Sequence, residues 1–270
     1  MAYEGTFSNY AEAALLNNFF KGAAYTPATI TYLALYTSNP QETDVGVEIS
    51  VTGTGYARQA ITWGTVTTDS GYIAIKNSAD INYSAATIDW GLITHFGIRD
   101  ASTGGNLLAY GPVEVSANIT AGNEYSILAN NMIIRLPGTY YSNYMATAFL
   151  NMLFKNTALT PTTTYAALYL ATPGGADTGT EVSTGGYLRQ AVTWGTLAQD
   201  TESRAQISNS AQITFPVAAV GYGPVTHIAI KDASSSGHLL CYIESNKPTT
   251  SVSASEQYII KVRELILRLK

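Results

Sequence analysis

Leu15, Leu16, Phe19 and Phe20 fall at helical spacing in an otherwise polar segment, and this apolar stripe predicts one helix packed on a sheet. Asn9 is placed to cap its first turn, Glu12 to reach back as in a capping box, and Gly22 to stop it. After Gly22 the period changes to two. Tyr32 to Tyr36 is a short apolar run with aromatic ends. Tyr56 to Trp63 alternates, with Ala57, Gln59, Ile61 and Trp63 on one face and Tyr56, Arg58, Ala60 and Thr62 on the other. Leu92, Thr94, Phe96 and Ile98 alternate with Ile93, His95, Gly97 and Arg99. Asp100 to Gly105 supplies a turn, Asn106 to Tyr110 the next strand, and Glu124 to Leu128 with Met132 to Leu136 a last pair. A single helix and roughly six to eight short strands separated by turns predict an antiparallel sandwich. An α/β fold would need a helix after nearly every strand, and those patterns are missing.

The same pattern then runs a second time. Ser8-Asn9-Tyr10 returns as Ser142-Asn143-Tyr144, Phe20-Lys21 as Phe154-Lys155, and Thr26-Pro27 as Thr160-Pro161. Gly55 to Thr65 returns as Gly186 to Thr196, sharing Arg-Gln-Ala and Thr-Trp-Gly-Thr, and Thr94-His95 returns as Thr226-His227. Ile133 to Leu136 matches Ile266 to Leu269. The helical stripe recurs as Phe149, Leu150, Leu153 and Phe154, and the first strand as Tyr165 to Leu170. So long a period is a duplicated domain rather than a solenoid unit. The expected fold is therefore mainly β: two tandem antiparallel, jelly-roll-like β-sandwich domains, each with one N-terminal α-helix. Their expected bounds are 1–136 and 137–270, with the seam at Pro137-Gly138, a pair that ends a strand and turns the chain.

Composition narrows the function. Only 12% of the 270 residues are charged, and Thr, Ser, Asn, Gly and 19 Tyr take their place. A net charge of −5 with 14 Lys and Arg argues against nucleic acid and membrane surfaces, which need clustered cations. One Cys, Cys241, leaves no partner for an intrachain disulfide, and with three His it makes no Cys/His zinc site. No run approaches the ~18 apolar residues of a membrane span. Met1 to Asn9 lacks the basic-then-apolar order of a signal peptide, so no export is expected.

Three features invite a chemical reading. His95 and Asp100, with His227 and Asp232, suggest a triad, but five residues along a strand separate a pair by about 16 Å and no Gly-x-Ser-x-Gly elbow exists. A structural His is the expectation. Asp44 to Glu48 and Asp177 to Glu181 are acidic loops around a Gly; they offer oxygen ligands for a cation, or ordinary turn chemistry. Arg58 and Arg189 sit among apolar or small residues and need an anionic partner, for which Glu48 and Glu181 are the nearest upstream acids. No catalytic, cofactor-binding or metal residue is assigned, and the chain is expected not to be an enzyme.

Four of these segments together resemble a known family. They are Asn9 to Gly22, Tyr32 to Pro40, Glu48 to Gly64 and Thr94 to Tyr110, with their counterparts in the second half. They are similar to small virion proteins of tailed bacteriophages, usually labelled tail fibre or minor tail proteins. The resemblance covers nearly the whole chain, twice. It implies a non-enzymatic structural component of a virion, tail- or fibre-associated or an adaptor, assembled in the host cytoplasm and acting through broad contacts with other virion proteins. A capsid decoration protein is the alternative. A carbohydrate- or host-receptor-binding module is the second, with Trp63, Trp90 and Trp194 as candidates to stack on sugars. Tyr-rich, low-charge composition suits broad semi-polar contacts. A homo-oligomer is expected, a trimer first, in which a duplicated domain would set six similar units around one axis.

Overall fold

The computed structural model describes residues 3–136, 140–160, 162–201, 204–246 and 251–269. The expected seam at Pro137-Gly138 and Pro161 of the repeated Thr-Pro pair lie outside the described residues.

The first half holds β1 (Tyr3–Phe7), α1 (Asn9–Lys21), β2 (Tyr32–Tyr36), β3 (Gln59–Ala60), β4 (Thr67–Asp69), β5 (Tyr72–Lys76), β6 (Ile81–Tyr83), β7 (Gly91–Arg99), β8 (Leu107–Ile119), β9 (Tyr125–Ile127) and β10 (Met132–Leu136). The strands run in the order β3-β2-β7-β8-β1-β10-β5-β4, with β6 and β9 paired separately. This sequence of neighbours is two layers sharing one strand. Tyr3 to Gly5 pair in parallel with Met132 to Ile134, whereas Thr6 and Phe7 pair antiparallel with Tyr110 and Ala109. β1 thus leaves the layer of β10, β5 and β4 and enters that of β8, β7, β2 and β3, a corner made by a strand that changes sheet. Gly5 marks the crossing. A Cβ there would lie 2.6 Å from Ile134 Cδ1 and 3.3 Å from both Phe96 and the Tyr110 carbonyl, so a larger residue would force the layers apart. Between the layers Leu33, Leu35, Ile75, Ile93, Phe96, Ile98 and Ile134 are fully buried.

The second half repeats this plan with α2 (Asn143–Phe154), β11 (Tyr165–Tyr169), β12 (Gln190–Ala191), β13 (Ala198–Gln199), β14 (Ala205–Ser208), β15 (Ile213–Thr214), β16 (Gly223–Pro224), β17 (His227–Lys231), β18 (Leu239–Glu244), β19 (Ser251–Val252), β20 (Ile259–Ile260) and β21 (Ile266–Leu269). The orders β12-β11-β17-β18 and β13-β14-β21 match the two layers of the first half strand for strand. Tyr141 stands where Phe7 does: it bridges Cys241, and its hydroxyl donates to the Arg268 carbonyl in the other layer.

Local signals explain most elements, with two corrections. The cap of α1 is Ser8 rather than Asn9: its Oγ accepts from Ala11 N at 3.2 Å, as Ser142 Oγ accepts from Met145 N at 3.0 Å. Glu12 does not turn back to its own cap. Gly22 does end α1, at φ 67°. The segment Tyr56 to Trp63 pairs at Gln59 and Ala60 with β2 and by a single bridge from Trp63 to Asn77, and its faces do not simply alternate, since Tyr56 and Ile61 are both buried. Tyr56 turns inward because its hydroxyl accepts from Leu35 N at 2.9 Å and donates to Glu48 at 3.1 Å, a local anchor that overrides the period of two.

The two halves share one continuous core, and the helices make it so. α1 packs on β8 of its own half and on β14 of the other; α2 packs on β18 of its own half and on β5 of the first. β5 and β14 are counterparts, so each helix rests on the same surface of the opposite repeat. The aromatic contacts repeat the exchange. Phe20 meets Trp194 at 5.1 Å between ring centroids, and its counterpart Phe154 meets Trp63 at 4.9 Å. Near the middle Phe19 and Phe149 meet edge to face at 4.4 Å. Glu12, fully buried, accepts the Ala205 N–H across the boundary at 3.1 Å. A contact in which residue i meets j and j's counterpart meets i's is isologous, and it relates the repeats by a local twofold.

Candidate functional site

His95 lies on β7 and Asp100 in the turn that follows, and the fold does not bring them together. His95 Nδ1 is 2.9 Å from Thr94 Oγ1, and burial holds its imidazole below the usual histidine range. Asp100 instead accepts from Asn106 N at 2.6 Å and Asn106 Nδ2 at 2.7 Å. The second copy agrees: His227 pairs with Thr226 at 2.9 Å, and Asp232 accepts from His238 N at 2.6 Å and meets its Nδ1 at 2.8 Å. These carboxylates tie the turn shut, as Asx chemistry does elsewhere.

The acidic loops are held by different cations. Glu48 accepts from Arg58 Nε at 2.8 Å and Nη2 at 2.7 Å, and Arg58 Nη1 also donates to the Ala101 and Gly104 carbonyls at 2.9 and 2.7 Å. Glu181 and Arg189 repeat the fork, with Ala233 and Ser236 as the carbonyls. The pairing expected from sequence is present in both copies. Asp44, by contrast, pairs with Arg99 Nη2 at 2.6 Å, while Arg99 Nε donates to the Tyr36 hydroxyl at 3.0 Å. In the second copy Lys231 pairs with Asp177, which also accepts the Tyr169 hydroxyl at 2.7 Å. Sequence reasoning missed this second device. Its signal was a basic residue, Arg99 or Lys231, directly before Asp100 or Asp232 at the end of an otherwise apolar strand. Among the described residues no three His, Cys, Asp or Glu converge as metal ligands would.

Tyr36 belongs to this cluster, and burial pushes its phenol up to about 12 despite the Arg99 hydrogen bond. Burial raises Tyr56, Tyr169 and Tyr187 further. A phenol raised in the folded state stabilises the fold fully below the ordinary value near 10 and loses that contribution as pH rises through the folded value. Stability is therefore expected to fall between pH 10 and about 12. In an alkaline titration, the phenolate absorbance of the buried tyrosines, the last to appear, should come together with loss of the near-ultraviolet circular dichroism. Ionisation of all tyrosines near pH 10 with the fold intact would contradict this.

The three tryptophans are structural. Trp90 and Trp194 are buried, and Trp63 is half-buried against Phe154. Trp63 Nε1 donates to Thr31 Oγ1 at 2.7 Å and Trp194 Nε1 to Thr164 Oγ1 at 2.8 Å; Trp90 donates to the Thr54 carbonyl at 2.8 Å. Burial leaves Trp90 and Trp194 no open ring face for a sugar, while half-buried Trp63 packs against Phe154. The two repeats differ in the apolar side chains they expose on the acidic loops. Val45, Val47 and Val51 are 62, 61 and 58% exposed, where the second copy has Thr178, Thr180 and Thr184. The loops that carry them fold alike. Val45 N and Thr178 N each donate at 2.8 Å, to the Pro40 and Pro173 carbonyls; Asp44 and Asp177 have φ of 59° and 55°.

A family model described as podophage GP4 fiber I protein gp80 matches residues 6–135 and, a second time, residues 140–268. No curated protein matches the chain.

Proposed function

Because the chain belongs to the podophage GP4 fiber I protein family and carries that domain twice, we propose that it is a non-enzymatic fibre component of a phage particle, assembled in the host cytoplasm, that works as a homotrimer through contacts with other virion proteins. Residues 1–136 and 137–270 are taken as its two domains. The observation that carries the reading is the use made of the candidate chemistry. In both copies the loop acids and arginines are paired with each other, each of His95 and His227 bonds the threonine before it, and Phe20, Phe154, Trp63 and Trp194 pack between the repeats.

The valines support self-association. Thr is nearly isosteric with Val, and the second loop shows that Thr folds there, so folding alone does not call for three exposed valines. Such a patch marks a contact. The paired Asp44 and Glu48 leave it without a net acidic field, which lets identical loops meet. Native mass spectrometry should find a species three times 28.8 kDa, and V45T, V47T and V51T together should return it to monomer. A wild-type monomer at micromolar concentration would overturn the trimer, and a triple variant that stays trimeric would overturn the contact. Proteomics of purified particles tests the placement: the chain should travel with tails in copy numbers divisible by three, and its absence from particles would defeat the fibre reading.

A further inference from the structure

We propose that β1 is a mechanical clamp, a load-bearing function that rests on the fibre reading and is separate from any partner contact. A strand shared between two layers holds them together, and the direction in which it is pulled decides how well. β1 runs parallel to β10, so Tyr3 lies beside Met132 and Gly5 beside Ile134. Tension arriving from the N-terminal side pulls β1 toward its Tyr3 end. Tension arriving through the chain beyond Leu136 pulls β10 toward its opposite end. Two parallel strands drawn in opposite directions are loaded in shear, and their hydrogen bonds must yield together. Drawn from the same end, they peel one bond at a time.

The surroundings of β1 reinforce the shear geometry. Its second half is stitched to β8 through Thr6–Tyr110 and Phe7–Ala109, so sliding against β10 also drags the other layer. Ser8, the next residue, donates from its backbone N–H to the Leu108 carbonyl at 3.1 Å and from its hydroxyl to the Leu107 carbonyl. Gly5, wedged against Ile134 and Phe96, removes the slack that a strand needs to shift by one residue. Phe7 is buried and anchors the downstream end. Once β1 is pulled out, no strand among the described residues joins β8 to β10, and the two layers are left held by their apolar packing alone. Forced unfolding is governed by the barrier along the pulling direction rather than by equilibrium stability, so topology can raise resistance without adding contacts.

The test uses the full chain with two handle geometries in single-molecule force spectroscopy. Both place one handle at the N-terminus. The shear geometry adds Tyr140→Cys, which is exposed and follows β10; the peel geometry adds Leu128→Cys, which is exposed and precedes it. Native Cys241 is buried and its thiol is pushed up by burial, so handle chemistry leaves it alone. The first rupture in shear should need at least about twice the force of the first rupture in peel, at equal loading rate. A smaller ratio overturns the clamp. That result would leave the fibre reading standing, because its own failure is read from particle composition.

Discussion

Phe149→Ala is expected to destabilise both repeats, although Phe149 belongs to the second. The side chain is fully buried, and its ring meets Phe19 of the first repeat edge to face at 4.4 Å, with Tyr141 beside it at 6.1 Å. Truncation removes a large apolar group and leaves a cavity that packed helices close only in part, a cost of about 3–5 kcal/mol. The distribution of that cost is the informative part. α1 and α2 each complete the core of the opposite half, so neither half keeps its packing when the contact opens. Denaturant unfolding should remain one transition with its midpoint lowered. Native-state hydrogen exchange should accelerate at Phe96 and Ile98 on β7, in the repeat that was not mutated. Unchanged protection on β7 with faster exchange on β17 would show two independent domains and defeat the reading.

How far the sequence carries toward this contact is instructive. The stripe of Leu15, Leu16, Phe19 and Phe20 reveals a buried face, because helical periodicity is a local property. It does not reveal which sheet covers that face, since a helix seated on its own sandwich and one seated on its neighbour's need the same stripe. Trp63 and Trp194 are legible as strand-end aromatics for the same reason, while Phe154 and Phe20 as their partners are not. The pairing of Glu48 with Arg58 could be read because both sit in one motif ten residues apart. Arg99 and Asp44 lie fifty-five apart and meet only once β2 and β7 are neighbours. β1 is hard to read because Tyr3 to Phe7 is five residues long with a glycine at its centre; its place is set by backbone pairing on both sides. β4 and β5 are obscured for a different reason, since Thr67 to Lys76 mixes exposed and buried residues around a tight turn at Ser70-Gly71.

The guanidinium forks give the second large effect. The Arg58 side chain is 8% exposed, and it donates to both Glu48 oxygens, one of which also accepts the Tyr56 hydroxyl, and to the Ala101 and Gly104 carbonyls. It therefore joins the loop after β2 to the turn between β7 and β8, two segments that no strand pairing connects. Arg58→Ala leaves Glu48 beside the Tyr56 hydroxyl without its cation and strips two carbonyls of their donor. Breaking a partly buried, hydrogen-bonded pair from one side in this way costs about 2–3 kcal/mol, more than the intact pair contributes relative to an apolar substitute. Arg58→Lys should recover little of it. An ammonium is a point charge on a flexible stem, and it cannot present one planar edge to a carboxylate while a second donor reaches two carbonyls. The duplicated domain supplies the control. Arg189 holds Glu181, Ala233 and Ser236 by the same bonds, and the two forks share no partner. Their losses should add in the double variant to within about 0.5 kcal/mol when read from denaturant unfolding, because uncoupled sites in one cooperative unit sum. A double variant no less stable than either single one would mean that the repeats unfold separately, and the shared core would then fail as the explanation of how this chain holds together.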